Sequence, residues 1–565
     1  MALYTTNSNT LSPFKALSIA TALLLSSASR VLVTARLHKA PTPPMGWNSY
    51  NAYSCTPTEA IIKLNAQGLK DLGFYDLGYD IVTVDCGWPA DARDPQTGKL
   101  VWNETLFPSG PEALGEFVHG LGMKFGLYSG AGYLQCGSEA IPASLGYEAV
   151  DAQSFADWGG DTLKYDNCYS TSRTVMVDSS SAESQSPRRF QVMADELAKT
   201  DRDIQYFLCQ WGIGQNVPEW SVPIANSWRM SNDIYNAWKS IPRIVNQAVA
   251  HSPSSQPGAF ADLDMLIVGL NALNPDEERL HFGMWAALKS PLIIGGIMDK
   301  DDIPADSLAI MSDKQAIAIN QDPLGVAADL VIRHASPLSW DIWAGPLSGG
   351  QKVVAVPNWG AEAQTVSIDL TLVGVASADW HEVWSDASGS SSGLLAATLP
   401  VHGMQLFVLS NIIETPVPTS VGHYSAAQAV LTGTAVSTKC GNDQCLPGSE
   451  KIGYIDISST ATWSSVTSPR TGKVLLSVDY INYEYHFSES WTWGTNVRDL
   501  TIRVNGGDAK SWAFPLSGNN WFDTGKLMVE VDGFVEGAGN TVEFGYPGNA
   551  NQSYAPDLVG FDVLR

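Results

Sequence analysis

Between residues 40 and 326 short apolar runs alternate with amphipathic stretches, and that alternation leaves few folds open. The runs are Ile81-Val-Thr-Val84, Lys124-Phe-Gly-Leu-Tyr128, Thr162-Leu-Lys-Tyr165, Gln205-Tyr-Phe-Leu208 and Pro291-Leu-Ile-Ile294. Helical patterns lie between them, as at 59–72 and 111–121. Repeated strand-then-helix units with apolar strands imply a parallel sheet buried on both faces. About 285 residues suits eight such units, a (β/α)8 barrel. A doubly wound open sheet is the alternative, but no Gly-rich phosphate fingerprint follows the first run. Polar and aromatic residues follow the runs at Asp85, Tyr128, Asp166 and Trp211. In a barrel that end of the strands is the catalytic face.

The pattern then changes. Residues 327–412 read as short alternating strands, an antiparallel β-sandwich. Residues 413–422 contain Glu414-Thr-Pro-Val-Pro-Thr-Ser420, a Pro-rich linker. Residues 423–565 are again all-β, with turns at Asn505-Gly-Gly507 and Gly518-Asn-Asn520. The fold class is therefore α/β plus all-β in three domains, as 565 residues are too many for one core.

With 44% hydrophobic and 16% charged residues the chain is globular rather than disordered. Its net charge of −25 argues against nucleic acid and anionic membranes as partners. Lys15, an apolar run over 16–25 and Ser26-Ser-Ala-Ser29 form a secretory signal pattern, expected over residues 1–30. No later segment is long and apolar enough to span a membrane. Asn103-Glu-Thr105 and Asn551-Gln-Ser553 are glycosylation sequons that agree with secretion to the extracellular space. Of seven cysteines, six can pair in an oxidising compartment. Cys440 and Cys445 are close enough to close one small loop, and several pairings of the rest stay open.

Two carboxylates on separate elements carry the chemistry. Asp166 ends a strand in Leu163-Lys-Tyr-Asp-Asn-Cys168, and Asp233 lies in Ser227-Trp-Arg-Met-Ser-Asn-Asp-Ile234. Two acids amid tryptophans suit glycoside hydrolysis, in which one attacks the sugar and the other shuttles a proton. Taken alone, Asp166 is equally a strand-end cap. The nine histidines are scattered and form no HxH or HExxH pattern, which speaks against a metal-dependent hydrolase.

Residues 41–412 resemble glycoside hydrolase family 27, the clan of α-galactosidases. The resemblance is carried by Pro43-Pro-Met-Gly-Trp-Asn-Ser49, Tyr128, Leu163-Lys-Tyr-Asp-Asn-Cys168, Cys209-Gln-Trp-Gly212, Ser227-Trp-Arg229 with Asn232-Asp-Ile234, Asp264-Met265 and Asn320-Gln-Asp-Pro-Leu-Gly325. It implies a retaining mechanism on terminal α-D-galactosides such as galacto-oligosaccharides and galactomannan. Asp166 would be the nucleophile, kept ionised by Lys164. Asp233 would be the acid/base, needing a less charged environment to hold its proton. It further implies that Lys164 contacts sugar hydroxyls, Arg229 the 2-hydroxyl, and that Trp47 and Trp211 stack on the sugar. Asp85 and Asp264 would also line the pocket. Cys55 would pair with Cys86 and Cys136 with Cys168, leaving Cys209 as a buried thiol. The mechanism needs no cofactor.

The departures concern specificity. Where the family has Asp-Asp-Cys-Trp, gripping the 4- and 6-hydroxyls, this chain has Val84-Asp85-Cys86-Gly87-Trp88. Tyr-Ser-Asp-Ala-Gly becomes Tyr128-Ser-Gly-Ala-Gly132, and Cys-Glu-Trp-Gly becomes Cys209-Gln-Trp-Gly212. β-L-Arabinopyranose shares the galactose ring but lacks the hydroxymethyl group, so β-L-arabinopyranosidase or dual activity is an alternative. A non-catalytic sugar-binding protein is another, opposed by the intact acid pair. Residues 423–565 resemble jelly-roll carbohydrate-binding modules of families 35 and 6, through Tyr424-Ser-Ala-Ala-Gln-Ala429 and Ala555-Pro-Asp-Leu-Val-Gly-Phe-Asp562. Gln428 stands in place of the usual Glu, against a structural calcium, although Asp562 offers oxygen ligands. Trp491, Trp493 and Trp521 are candidates either for a stacking surface or for the sandwich core.

Overall fold

The computed structural model describes residues 40–177, 182–212, 216–484, 495–549 and 552–565. The expected leader, the sequon Asn551 and both Trp491 and Trp493 lie outside the described residues.

Eight parallel strands form one sheet in the order β7-β6-β5-β4-β3-β2-β1-β8. They are β1 Met45–Asn48, β2 Ile81–Thr83, β3 Lys124–Gly130, β4 Thr162–Asp166, β5 Gln205–Leu208, β6 Ser227–Arg229, β7 Phe260–Asp262 and β8 Leu292–Ile294. Trp47 of β1 registers with Val82 on one side and Ile294 on the other. Just beyond β7, Leu266 makes a parallel bridge to Ile294 and closes the ring. Helices follow the strands: α1 Glu59–Asp71, α2 Gly110–Gly120, α3 Glu148–Asp157, α4 Ser186–Leu197, α5 Val217–Ser221, α6 Ser240–His251, α7 Pro275–Ala287 and α8 Ala305–Met311. This is the (β/α)8 barrel expected from the alternation.

Local chemistry explains these elements. On α1 the buried Ile62, Ala66 and Leu69 recur at helical spacing, and the Thr58 side chain caps the Ile61 N–H. On α7, Asn274 and Glu277 form a capping box with Pro275 at the first position. Strand side chains alternate, so Lys164 and Asp166 of β4 share one side while Leu163 and Tyr165 share the other. Tyr165 packs edge-on against Phe190 of α4, with ring centroids 5.6 Å apart. The side of β4 facing the barrel mouth is thereby left to polar groups.

Beyond the barrel, Ala387–Ser392, Val375–Glu382, Met404–Glu414, Gln351–Pro357, Asp341–Leu347 and Asp329–Arg333 lie side by side in one antiparallel run, with Gln364–Asp369 and Leu394–Leu399 paired separately. That sheet continues into the C-terminal region, where Ile332 registers with Met528 of the strand Gly525–Phe534. Leu475 and Leu564 of that region pack into the sandwich core with Ile342, Val354 and Phe407. A second, five-stranded sheet encloses a core containing Trp463, Trp512, Phe544 and Phe561. The Pro-rich stretch is bound at both ends: Thr415 N–H donates to Gly374 O, and Thr419 and Arg565 exchange two backbone bonds of 3.0 Å.

Gln428 accepts from the Ser425 N–H and caps a short turn. Asp562 lies within 4.8 Å of His423 and Asp479, measured between their potential ligand atoms. Calcium requires about six to eight oxygen ligands. One imidazole and two carboxylates, in contact with Ser420 and the Lys526 ammonium, do not by themselves make that oxygen set. Trp521 is half-buried with the Arg498 guanidinium 4.7 Å from its ring, a packing arrangement.

Candidate active site

The strand ends converge on a small cavity lined by Tyr50, Asp85, Tyr128, Lys164, Asp166, Arg229, Asp233, Asp264 and Met265, among others. Seven of the nine residues assigned to catalysis or substrate from sequence lie on it. Trp47 and Trp211 do not.

Asp166 is held from three sides. Tyr128 Oη donates to Oδ2 at 2.9 Å, and Oδ1 accepts from the Asn167 N–H at 2.9 Å and Trp211 Nε1 at 3.2 Å. Burial pushes its carboxyl above the usual range; Lys164 opposes this, while Asp233 and Asp85 add to it. Lys164 by itself therefore does not set the charge of Asp166. Burial works against the Lys164 ammonium too, but the surrounding anions, Asp85 foremost among the carboxylates, outweigh it and raise its pKa. Lys164 Nζ and Asn48 Nδ2 both donate to Asp85 Oδ2, at 2.8 and 2.7 Å.

Asp233 is not in an uncharged setting. Its Oδ1 lies 2.7 Å from Arg229 Nη2, and the same nitrogen lies 2.9 Å from Asp264 Oδ2. Asp264 also accepts from the Ile234 N–H at 2.6 Å, so it fixes both the guanidinium and the backbone after Asp233. Burial raises the Asp264 carboxyl despite Arg229, and pushes that of neighbouring Asp262 up to about 6. Arg229 and Asp264 are both buried, and their ion pair together with the Ile234 bond holds the backbone beside the more exposed Asp233.

The structure corrects the tryptophan assignments. Trp47 is wholly buried in the core, with Nε1 donating to Gly296 O at 2.7 Å. Alternation along β1 turns Asn48 toward Asp85 and Trp47 the other way. Tyr50, from the one-turn helix Tyr50–Tyr53, lines the pocket instead. Its ring centre lies 5.5 Å from Lys164 Nζ, and burial together with Asp233 raises its hydroxyl to about 12. The proximity of Tyr50 to a motif-bearing strand was its only signal in the sequence. Trp211 is 1% exposed and bonds Asp166, so it has no open face for a sugar.

Three disulfides form: Cys55–Cys86, Cys136–Cys168 and Cys440–Cys445. The first two anchor residues adjacent to Asp85 and two beyond Asp166. Cys209 is a buried thiol beside a small cavity beneath Lys164 and Arg229. Burial raises its pKa well above the usual range, which makes it inert. Asn103 is half-buried, and its Oδ1 accepts from the Thr105 and Leu106 N–H groups.

The chain is similar in sequence and fold to known proteins. A family described as alpha galactosidase A matches residues 42–322, and the alpha galactosidase C-terminal beta sandwich domain matches 339–409. The probable alpha-galactosidase D of Aspergillus fumigatus is 38% identical, covering 97% of this chain and 99% of its own. Alpha-galactosidase I from Mortierella vinacea superposes with a TM-score of 0.62 at 33% identity, covering 66% of this chain and 98% of its own. The Saccharomyces cerevisiae α-galactosidase solved with raffinose gives 0.60 at 30% identity, with the same coverage.

Proposed function

The chain belongs to the α-galactosidase family of glycoside hydrolases, and from that premise we propose that it is a secreted, retaining exo-enzyme releasing terminal α-D-galactose from galacto-oligosaccharides and galactomannan. The observation that carries this reading is a carboxylate pair, Asp166 and Asp233, on one small cavity. Asp166 attacks the anomeric carbon while Asp233 gives its proton to the departing oxygen, leaving a galactosyl ester on Asp166. Asp233 then takes a proton from water, the water oxygen bonds to the anomeric carbon, and Asp166 leaves as carboxylate. Tyr128, Trp211 and the Asn167 N–H donate to that carboxylate before and after the ester exists. Asp85 and Lys164 suit the ring hydroxyls, Arg229 the 2-hydroxyl, and the Tyr50 ring the apolar sugar face. The leader pattern and three disulfides support secretion.

A second substrate has one observation in its favour. Val84, aligned with the missing acid, is fully buried in the core and brings no polar group to the sugar. An unpartnered buried hydroxyl costs about 1–3 kcal/mol, so β-L-arabinopyranosides, which lack the hydroxymethyl group, suffer no such loss. One experiment addresses both points: hydrolysis of paired nitrophenyl α-D-galactopyranoside and β-L-arabinopyranoside, with proton NMR of the first-formed sugar. The expected result is galactoside hydrolysis with α-galactose appearing before mutarotation. β-Galactose first would overturn the retaining reading, and inertness toward both would favour a sugar-binding role. Arabinoside turnover below about 1% of the galactoside rate, a loss beyond what one unpaired hydroxyl explains, would exclude dual activity.

A further inference from the structure

We infer that the C-terminal module supports catalysis directly: Asn496 is a positioning residue that holds the acid/base loop through α6 and Arg243. This rests on the reading of Asp233 as acid/base.

The loop between β6 and α6 carries Asp233, and its backbone is held by Arg243, in the first turn of α6. Arg243 is 1% exposed. Its Nη2 donates to the carbonyls of Asp233 at 2.7 Å and Asn232 at 3.3 Å. Burial lowers its pKa to about 10. A guanidinium with these bonds fixes where the loop turns, and therefore where the Asp233 carboxyl sits.

The helix is itself held from outside the barrel. Asn496, 253 residues away from Arg243, is fully buried, and its Nδ2 donates to Arg243 O at 3.0 Å and Gln247 Oε1 at 3.2 Å. Asn246 Nδ2 donates in return to Thr495 O at 2.9 Å. Three hydrogen bonds thus join one module segment to α6 beside Arg243. Asn496 has φ +54°, a conformation that asparagine tolerates better than most residues. The module cannot slide off this contact easily, because it is also tied to the sandwich. Ile332 pairs with Met528, Arg333 Nη1 donates to Ala513 O at 2.9 Å, and the Ser336 N–H donates to Ser511 O. The chain that follows the Pro-rich stretch is therefore a brace for the barrel, with its contact on the helix behind the proton donor.

Loss of the brace should impair proton transfer more than nucleophilic attack, since Asp166 is held by β3, β4 and Trp211 instead. Asn496→Gly removes the amide and keeps the positive φ. For methyl α-D-galactoside, whose leaving group needs protonation, kcat/KM is expected to fall about tenfold. For 2,4-dinitrophenyl α-D-galactoside, whose leaving group needs none, kcat/KM should change by less than about twofold. Asn246→Ala should show the same pattern more weakly, and decides the matter if Asn496→Gly does not fold. Equal losses on both substrates, or no loss on either, would overturn the inference. Asp233→Ala, measured beside them, must show the leaving-group pattern in full. If it does not, the acid/base assignment fails instead.

Discussion

Asp166→Asn is expected to lower kcat/KM by on the order of 10⁴-fold or more, with the melting temperature at pH 7 unchanged or raised. Asparagine keeps the shape and an oxygen for the Asn167 N–H and Trp211 Nε1 bonds, but it cannot form the galactosyl ester. The stability sign follows from burial. Folded Asp166 holds its proton above its ordinary value of 3.8, chiefly because it is buried, and Asp233 and Asp85 reinforce this. Between 3.8 and the folded value the native state binds more protons than the unfolded chain, so stability falls as pH rises through that window. The neutral amide removes that penalty. Activity and thermal unfolding measured on one preparation separate a lost nucleophile from a damaged fold. Retention of more than about a tenth of wild-type activity would contradict the assignment.

Asp233→Ala is expected to slow galactosides with poor leaving groups by about 10²- to 10⁴-fold, and azide should restore turnover of the dinitrophenyl galactoside. The void left by the carboxyl admits azide to the α face of the enzyme ester, so the product expected is α-galactosyl azide. Arg229 keeps Asp264 at 2.9 Å after the substitution, so no charge is left unpaired and the fold should persist. β-Galactosyl azide would assign Asp233 the nucleophile's role, and the absence of rescue would remove it from proton transfer.

The barrel was legible because β2 to β5 and β8 are apolar runs, and their ends carry the residues that meet in the cavity. Three strands were not legible. β1, β6 and β7 are three or four residues long, and Asn48, Arg229 and Asp262 break their apolar character. Those same residues are turned inward by alternation, which is why the strands look polar. Trp47 and Tyr50 show the limit of motif reading: two aromatic residues stand three positions apart, one on β1 and one on the short helix after it, and only Tyr50 lines the cavity. Arg243 and Asn496 carry no local signal at all, because their roles arise from a contact across 253 residues. Val84 was legible as a departure from the family, and the structure adds that it is spent on the core.

The central claim is that Asp166 forms a galactosyl ester, and mass spectrometry tests it most directly. Enzyme inactivated with 5-fluoro-α-D-galactosyl fluoride would be digested and the labelled peptide sequenced. The account requires one fluorogalactosyl group per chain, on Asp166, and none in Asp166→Asn. A label on another carboxylate, or inhibition without any covalent adduct, would contradict it.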